Sequence, residues 1–304
     1  MTQADPEADF EEIARRFSHL WQALNHSSEL RQILIDRVRD TLDRGEARLR
    51  EADPEIVANS FTLEALVYSG TVTQVYRARH RDLGTLHAVK MLRPDHADDP
   101  VARKLMLREA EIGMTLRHPN LAATQTVLRL ADGRPALVME WLDGRIADLL
   151  QQRPLLQEEI TAIMAALFSG LAAIHKAGFV HCDLSPVNLL PLDADLSRLK
   201  IADFGIALAS GGRHAAFDLA FAGQPDFASP EQKAGRPLDG RSDLYSAGLI
   251  LSLLLRHCGE RGEEIQGLTA LASRLSQSDP QDRPENAEAA LHLLGGPAKS
   301  PIDA

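Results

Sequence analysis

Residues 181–190 read HCDLSPVNLL. A carboxylate, Asp183, and an amide, Asn188, stand five apart on a short segment with apolar ends. Cys182 and Ser185 sit between and beside them. One such segment decides nothing alone, so the reading works outward. Fifteen residues beyond Asn188 lies Asp203, inside KIADFGIAL at 200–208, which reads as a short apolar strand followed by a turn. Upstream, HAVK ends with Lys90 on a strand pattern, and LMLREAEIGM carries Glu109 on a helix pattern. A lysine after an apolar Ala88-Val89 pair, with an acidic residue in the next element, is poorly explained as a solvated surface group.

The chain around these residues changes pattern in a defined order. Phe10, Ile13, Phe17, Leu20, Trp21 and Leu24 recur at helical spacing over 8–24, and Leu30, Leu34, Val38, Leu42 and Leu49 over 29–51. The polar NHSS between them predicts a turn, so residues 1–58 read as a helical extension, a helix pair. The stretches FTLEALVYSG, TVTQVYRARH and GTLHAVKML predict strands between about 60 and 92. A helix over 100–117 follows, then strands near 122–130 and 135–140 joined by the turn ADGR. Helices dominate afterwards: 157–177, about 242–255, and two between 264 and 294. The tail GGPAKSPIDA reads as flexible over 295–304. A strand-rich unit thus precedes a helical one.

Composition narrows the function classes. A chain of 304 residues with 44% hydrophobic and 25% charged residues is that of an ordinary globular protein. Its net charge of −10 argues against nucleic acid or an anionic membrane surface as partner. Its two cysteines make no disulfide framework and suit a reducing, cytoplasmic setting. The acidic start MTQADPEADFEE lacks the apolar core of a signal peptide. The apolar run AGLILSLLL at 247–255 is too short to span a bilayer and reads as a core helix.

The motifs, taken together and in this order, make residues 61 to about 294 resemble the eukaryotic-like protein kinase family in its bacterial serine/threonine form. The resemblance implies an α+β, bilobal protein-kinase-like fold over 59–294. Its small antiparallel lobe would cover about 59–140 and its mainly helical lobe about 144–294. It implies ATP and Mg²⁺ as cofactors and a protein as substrate. Lys90 would hold the α- and β-phosphates, with Glu109 fixing it. Asp183 would accept the proton of the attacking hydroxyl, while Asp203 and Asn188 would hold metal. LVMEWLDG at 137–144 resembles the hinge between lobes, where Glu140 and Leu142 would meet adenine behind Met139. Gly70, Val75, Ala88 and Leu190 are assigned to the same nucleotide pocket. Glu231 in SPEQ would pair with Arg283, and Asp243 would brace the catalytic loop.

The departures from the family are as informative. Its glycine-loop pattern G-x-G-x-x-G falls on Tyr68, Gly70 and Thr73, so one glycine of three remains. Ser185 stands where a lysine would neutralise the γ-phosphate, and Gln224 stands for the threonine usually beside that lysine, which suggests a re-paired network. Cys182 replaces the arginine that grips a phosphorylated activation loop. That loop, 204–224, contains no Thr or Tyr and a single Ser, Ser210. The expectation is an active serine/threonine protein kinase, with Ser185 among its catalytic residues and no switch by loop phosphorylation. A pseudokinase that binds nucleotide or scaffolds is the second reading, and a small-molecule kinase the third. The N-terminal helices are expected to contact a partner or the small lobe.

Overall fold

Strands rich in apolar and β-branched residues build the first layer. The computed structural model describes residues 56–295, apart from 131, 194, 218–221 and 261. The expected helices at 8–24 and 29–51 and the tail beyond Gly295 lie outside the described residues. Six strands form one antiparallel sheet: β1 (Ile56–Val57), β2 (Phe61–Ser69), β3 (Thr73–His80), β4 (Leu86–Leu92), β5 (Thr124–Arg129) and β6 (Pro135–Glu140), in the order β1-β2-β3-β4-β6-β5. Successive side chains point to opposite faces. Val89 and Met91 therefore join Ala136, Val138, Ala78, Phe61 and Leu63 in one apolar cluster. Leu92 and Leu137 point the other way and meet α1 (Pro100–Thr115). That helix starts where Asp99 accepts hydrogen bonds from the amides of Val101 and Ala102, with Pro100 at its first position.

The second unit is helical, as the 3.6-residue period predicts. It comprises α2 (Ile146–Gln152), α3 (Gln157–Lys176), α4 (Pro230–Lys233), α5 (Gly240–Arg256), α6 (Glu263–Leu275) and α7 (Ala287–Leu294). Ile160, Ile163, Met164, Leu167, Leu171 and Ile174 of α3 are all fully buried, on the face the period picks out. The apolar run 247–255 falls in α5, with Ala247, Ile250, Leu251 and Leu254 in the same core. By length and composition α3 would also cross a membrane, yet half of its window is buried inside the fold, which identifies it as the central core helix.

Of the small elements here, the sequence announced only the strand that opens KIADFGIAL, which is the end of β9 (Asp195–Ile201). α2 is too short for a periodic signal. Two ribbons, β7 (Phe179–Val180) with β10 (Leu208–Ala209), and β8 (Leu189–Leu192) with β9 (Asp195–Ile201), take their order from tertiary pairing. β1, likewise only two residues, extends the sheet through Ile56↔Thr62 and Val57↔Phe61. The ribbons matter because β8 and β9 end beside Asn188 and Asp203.

Candidate active site

Register places the first residues. Val75 is opposite Lys90, and Ala88 is opposite Met139. Opposed residues share a face, so Val75, Ala88, Lys90 and Met139 all look toward the helical unit. α1 brings Glu109 to that face. It can approach β5 closely because Gly113 lacks a side chain: a Cβ there would stand 2.2 Å from Thr124 Oγ1.

Lys90 Nζ donates to Glu109 Oε1 and Oε2 at 2.8 and 2.9 Å, and to Asp203 Oδ1 at 2.9 Å. Lys90 and Glu109 are 6% and 4% exposed, whereas the Asp203 side chain is 41% exposed, so this pairing runs from the buried seam of the sheet and α1 out to the turn after β9. Burial opposes the ammonium, but the Asp203 and Glu109 carboxylates outweigh it and hold Lys90 above the ordinary lysine value. Asp203 has φ 69°, a left-handed conformation uncommon for a side-chain-bearing residue. Its Oδ1 also accepts from the Gly205 amide at 3.1 Å. The remaining oxygen is thereby directed away from the lysine.

The loop that opened the sequence reading is strained and braced. Cys182 has φ 67°. Asp243, fully buried on α5, accepts from the amides of His181 and Cys182 at 2.8 and 2.9 Å and from His175 Nε2 at 2.8 Å. Burial works against the Asp243 charge, and His175 and His181 overcome it, holding the carboxyl below its usual range. The brace is what a left-handed residue needs in order to persist. His181 was not singled out by sequence. Its Nδ1 accepts from the Asp183 amide at 3.2 Å, and its ring packs on Phe204 at 5.3 Å.

Asp183 faces the same space as Asp203. Its Oδ1 accepts from the Gln224 amide and its Oδ2 from Asn188 Nδ2, both at 3.2 Å. Burial, and then the nearby Asp203 charge, push its carboxyl up to about 6. Asn188 Nδ2 also donates to the Asp183 carbonyl at 2.8 Å, so both amide hydrogens point to Asp183 and the amide oxygen is directed elsewhere. The expected exchange between Ser185 and Gln224 is not present. Gln224 reaches Asp183 through its main chain, and Ser185 is fully buried with a hydroxyl that finds no partner among the described residues.

At the hinge, Leu142 is buried, and the Glu140 carboxylate accepts from the Ala123 amide at 2.6 Å and Lys200 Nζ at 3.0 Å. Lys200 is opposite Leu190 in the β8–β9 ribbon, so this ion pair ties the hinge to the strand that delivers Asp203. Gly70 makes the tight turn between β2 and β3, its amide donating to Thr73 O at 2.9 Å. The Cys182 side chain lies in an apolar cluster with Val180, Leu208 and Leu238. Gln232 Nε2 donates to the carbonyls of Cys182 and Ala222 at 2.7 and 2.9 Å, and Arg108 Nη1 donates to the Ala207 carbonyl. Arg283 grips Glu231 with two bonds of 2.6 and 2.9 Å, the pair expected from the sequence. Lys200, Gln232 and Arg108 carried no readable signal, because each acts across a tertiary contact.

Comparison with known proteins agrees with this geometry. Residues 61–261 match the protein kinase domain family. A probable serine/threonine-protein kinase of Streptomyces coelicolor is 36% identical over 213 residues, 67% of this chain and 31% of that protein. Another from Corynebacterium efficiens is 34% identical over 203 residues, 64% of this chain and 30% of that protein. The chain spans about a third of the length of these curated relatives. The kinase domain of Mycobacterium tuberculosis PknI superposes with a TM-score of 0.60 over 80% of this chain and 98% of that one, at 24% identity, which speaks to the fold. The shared domain, the bilobal α+β architecture and the buried lysine–glutamate pair together place the chain in the protein kinase family, among its bacterial, eukaryotic-like serine/threonine members.

Proposed function

We propose that this chain transfers the γ-phosphoryl group of ATP to a serine or threonine hydroxyl of a protein. The observation that carries the reading is the buried Lys90–Glu109–Asp203 cluster facing Asp183. Phosphoryl transfer needs positioning and charge neutralisation more than covalent help. Lys90, held charged by two carboxylates, binds the α- and β-phosphates. Asp183, ionised in its greater part at neutral pH, accepts the hydroxyl proton as the hydroxyl oxygen bonds to the γ-phosphorus. The bond to the β–γ bridging oxygen breaks, and ADP leaves with its electron pair. Asp203 and Asn188 would hold Mg²⁺: each has its other polar atoms committed to Lys90, Gly205 or Asp183, and each keeps a hard oxygen for a cation. When bound, the ion neutralises charge on the phosphates. The hinge backbone at Glu140 and Leu142, with Val75, Ala88, Met139 and Leu190, takes the base. The free thiols Cys182 and Cys258 suit a reducing, cytoplasmic location.

We read the activation segment as held without phosphate. Leu208 and Ala209 pair with Val180 and Phe179, Gln232 ties the segment to Cys182, and apolar packing fills the place of a phosphate receptor. A second reading is a nucleotide-binding module without turnover. It is favoured by stiff, β-branched Thr71, Val72 and Thr73 at the phosphate-covering turn and by the sealed Ser185.

Transfer of radiolabelled phosphate to a generic protein and to host lysate, with Asp183→Asn and Asp203→Ala beside wild type, separates the two. Loss on the order of 10²–10⁴-fold in Asp183→Asn is expected. Wild-type activity in Asp203→Ala refutes the metal assignment. Stabilisation of the wild type by Mg-ATP with no transfer to any acceptor establishes the second reading.

A further inference from the structure

The mouth of the pocket carries a pair that the chemistry above does not use. β2 is irregular as it approaches the turn. Its register shifts between Leu66 and Tyr68, so that Val67 is the extra residue and Tyr68, rather than Val67, stands opposite Val75. Tyr68 therefore shares the face of Val75 and Lys90, the face that looks onto the nucleotide space. Its ring folds back over the turn. The hydroxyl oxygen and Cε1 lie 2.8 and 3.1 Å from where a Cβ on Gly70 would stand, so glycine is what leaves the ring its place.

The opposite bank supplies a cation. Gly144, with φ 82°, turns the chain out of the hinge into Arg145. The Arg145 carbonyl accepts from the amides of Asp148 and Leu149, both at 3.1 Å, which fixes the residue at the start of α2. Its guanidinium carbon lies 5.9 Å from the centroid of the Tyr68 ring, within cation–π range. One partner belongs to the sheet and the other to the helical unit, so the contact crosses the cleft. Tyr68 stays 47% exposed and Arg145 partly so, and neither is needed to fill the core.

We propose that Tyr68 and Arg145 form a latch across the nucleotide pocket that slows release of a purine nucleoside diphosphate. The proposal rests on the nucleotide reading above. The turn offers one glycine and three β-branched residues, a poor surface for backbone amides to approach phosphates. An aromatic ring tied to the far bank holds the same turn down on the sugar and base side instead. Nucleotide leaves only when the ring parts from Arg145, because the strands that carry the ring and the helix that carries the cation move apart as the cleft opens.

The test is stopped-flow release of a fluorescent ADP analogue, with Mg²⁺, from wild type, Tyr68→Ala, Tyr68→Phe, Arg145→Ala and the double variant. Melting of each protein without nucleotide checks that the fold is kept. Tyr68→Ala and Arg145→Ala are each expected to release the analogue about two- to fivefold faster, the size of an exposed cation–π contact. The double variant should be no faster than the faster single, and Tyr68→Phe should keep the wild-type rate because the ring is what counts. The apparent KM for ATP should rise in both alanine variants with the chemical step, read by single turnover, unchanged. A wild type that binds the analogue while both alanine variants release it at the wild-type rate overturns the latch and leaves the kinase reading standing. So does a double variant whose effect is the product of the singles. A wild type that takes up no nucleotide overturns both.

Discussion

The Ser185 hydroxyl has no hydrogen-bond partner among the described residues at 0% exposure, next but one to Asp183. Leaving a buried polar group unsatisfied costs about 1–3 kcal/mol, and such a cost persists where the residue does something else. Ser185→Ala removes the cost. Its melting temperature is expected to rise by a few degrees, consistent with recovery of about 1 kcal/mol in a fold of this size. If the hydroxyl meets the phosphoryl group during transfer, kcat falls in the same variant. A paired measurement of melting and turnover checks both. A variant that is less stable than wild type shows that the hydroxyl has a partner in solution, and one with full activity removes Ser185 from the chemistry. The strain at Cys182 and Asp203 follows the same logic, since left-handed residues flank the reacting space and Asp243 and Lys90 hold them there.

Among the elements, the activation segment and α1 decide whether the site is assembled. α1 contributes Glu109 inward and, one residue earlier, Arg108 to the Ala207 carbonyl. The segment is fastened by the β7–β10 pairing and by Gln232. These fastenings are main-chain pairing and side-chain amide bonds, and Ser210 is exposed with its amide donating to the Gly178 carbonyl. Phosphatase treatment and Ser210→Ala are therefore expected to leave the transfer rate unchanged. Gln232→Leu keeps the volume but strips the Cys182 and Ala222 carbonyls of a donor, at a cost of about 1–3 kcal/mol. Its rate should fall by about tenfold or more, because a loss of 1.4 kcal/mol in holding the loop is a factor of ten. Steady-state assays of the two variants side by side decide it. Loss of most activity in Ser210→Ala would sink the idea of a phosphate-independent segment.

Across the whole molecule, Arg283 and Glu231 join α4 to the segment before α7 in a buried pair, with Ser242 of α5 also donating to Glu231. Replacing a buried pair is often neutral, but removing one partner is not. Arg283→Met leaves the carboxylate uncompensated, and a loss of about 3–5 kcal/mol is expected by denaturant melting. Burial opposes the Glu231 charge, and Arg283 with its other donors holds the carboxyl below its ordinary value of 4.5. The stabilisation is therefore present above pH 4.5 and is lost as pH falls through the folded-state value. The gap between wild type and Arg283→Met should be widest near neutral pH and close in acid. A gap independent of pH would assign the loss to packing alone, including the Arg283 contact with the Tyr245 ring at 4.9 Å.

Local pattern determined much of this protein. The apolar strand run HAVKML put Lys90 on a buried strand, and the helical period drew the buried stripe of α3, since both depend on which residues must leave water. The order HAVK, Glu109, HCDLSPVN, DFG and SPEQ was likewise written in the chain. What only the tertiary structure decided is who partners whom. The register shift that turned Tyr68 toward Arg145, the amide rather than the side chain of Gln224 at Asp183, and the Glu140–Lys200 tie all join residues far apart in sequence. A one-dimensional pattern records a residue's need for burial. It does not record the direction of a hydrogen bond or the slip of one strand against another, because those are set by the other chain segment that arrives opposite.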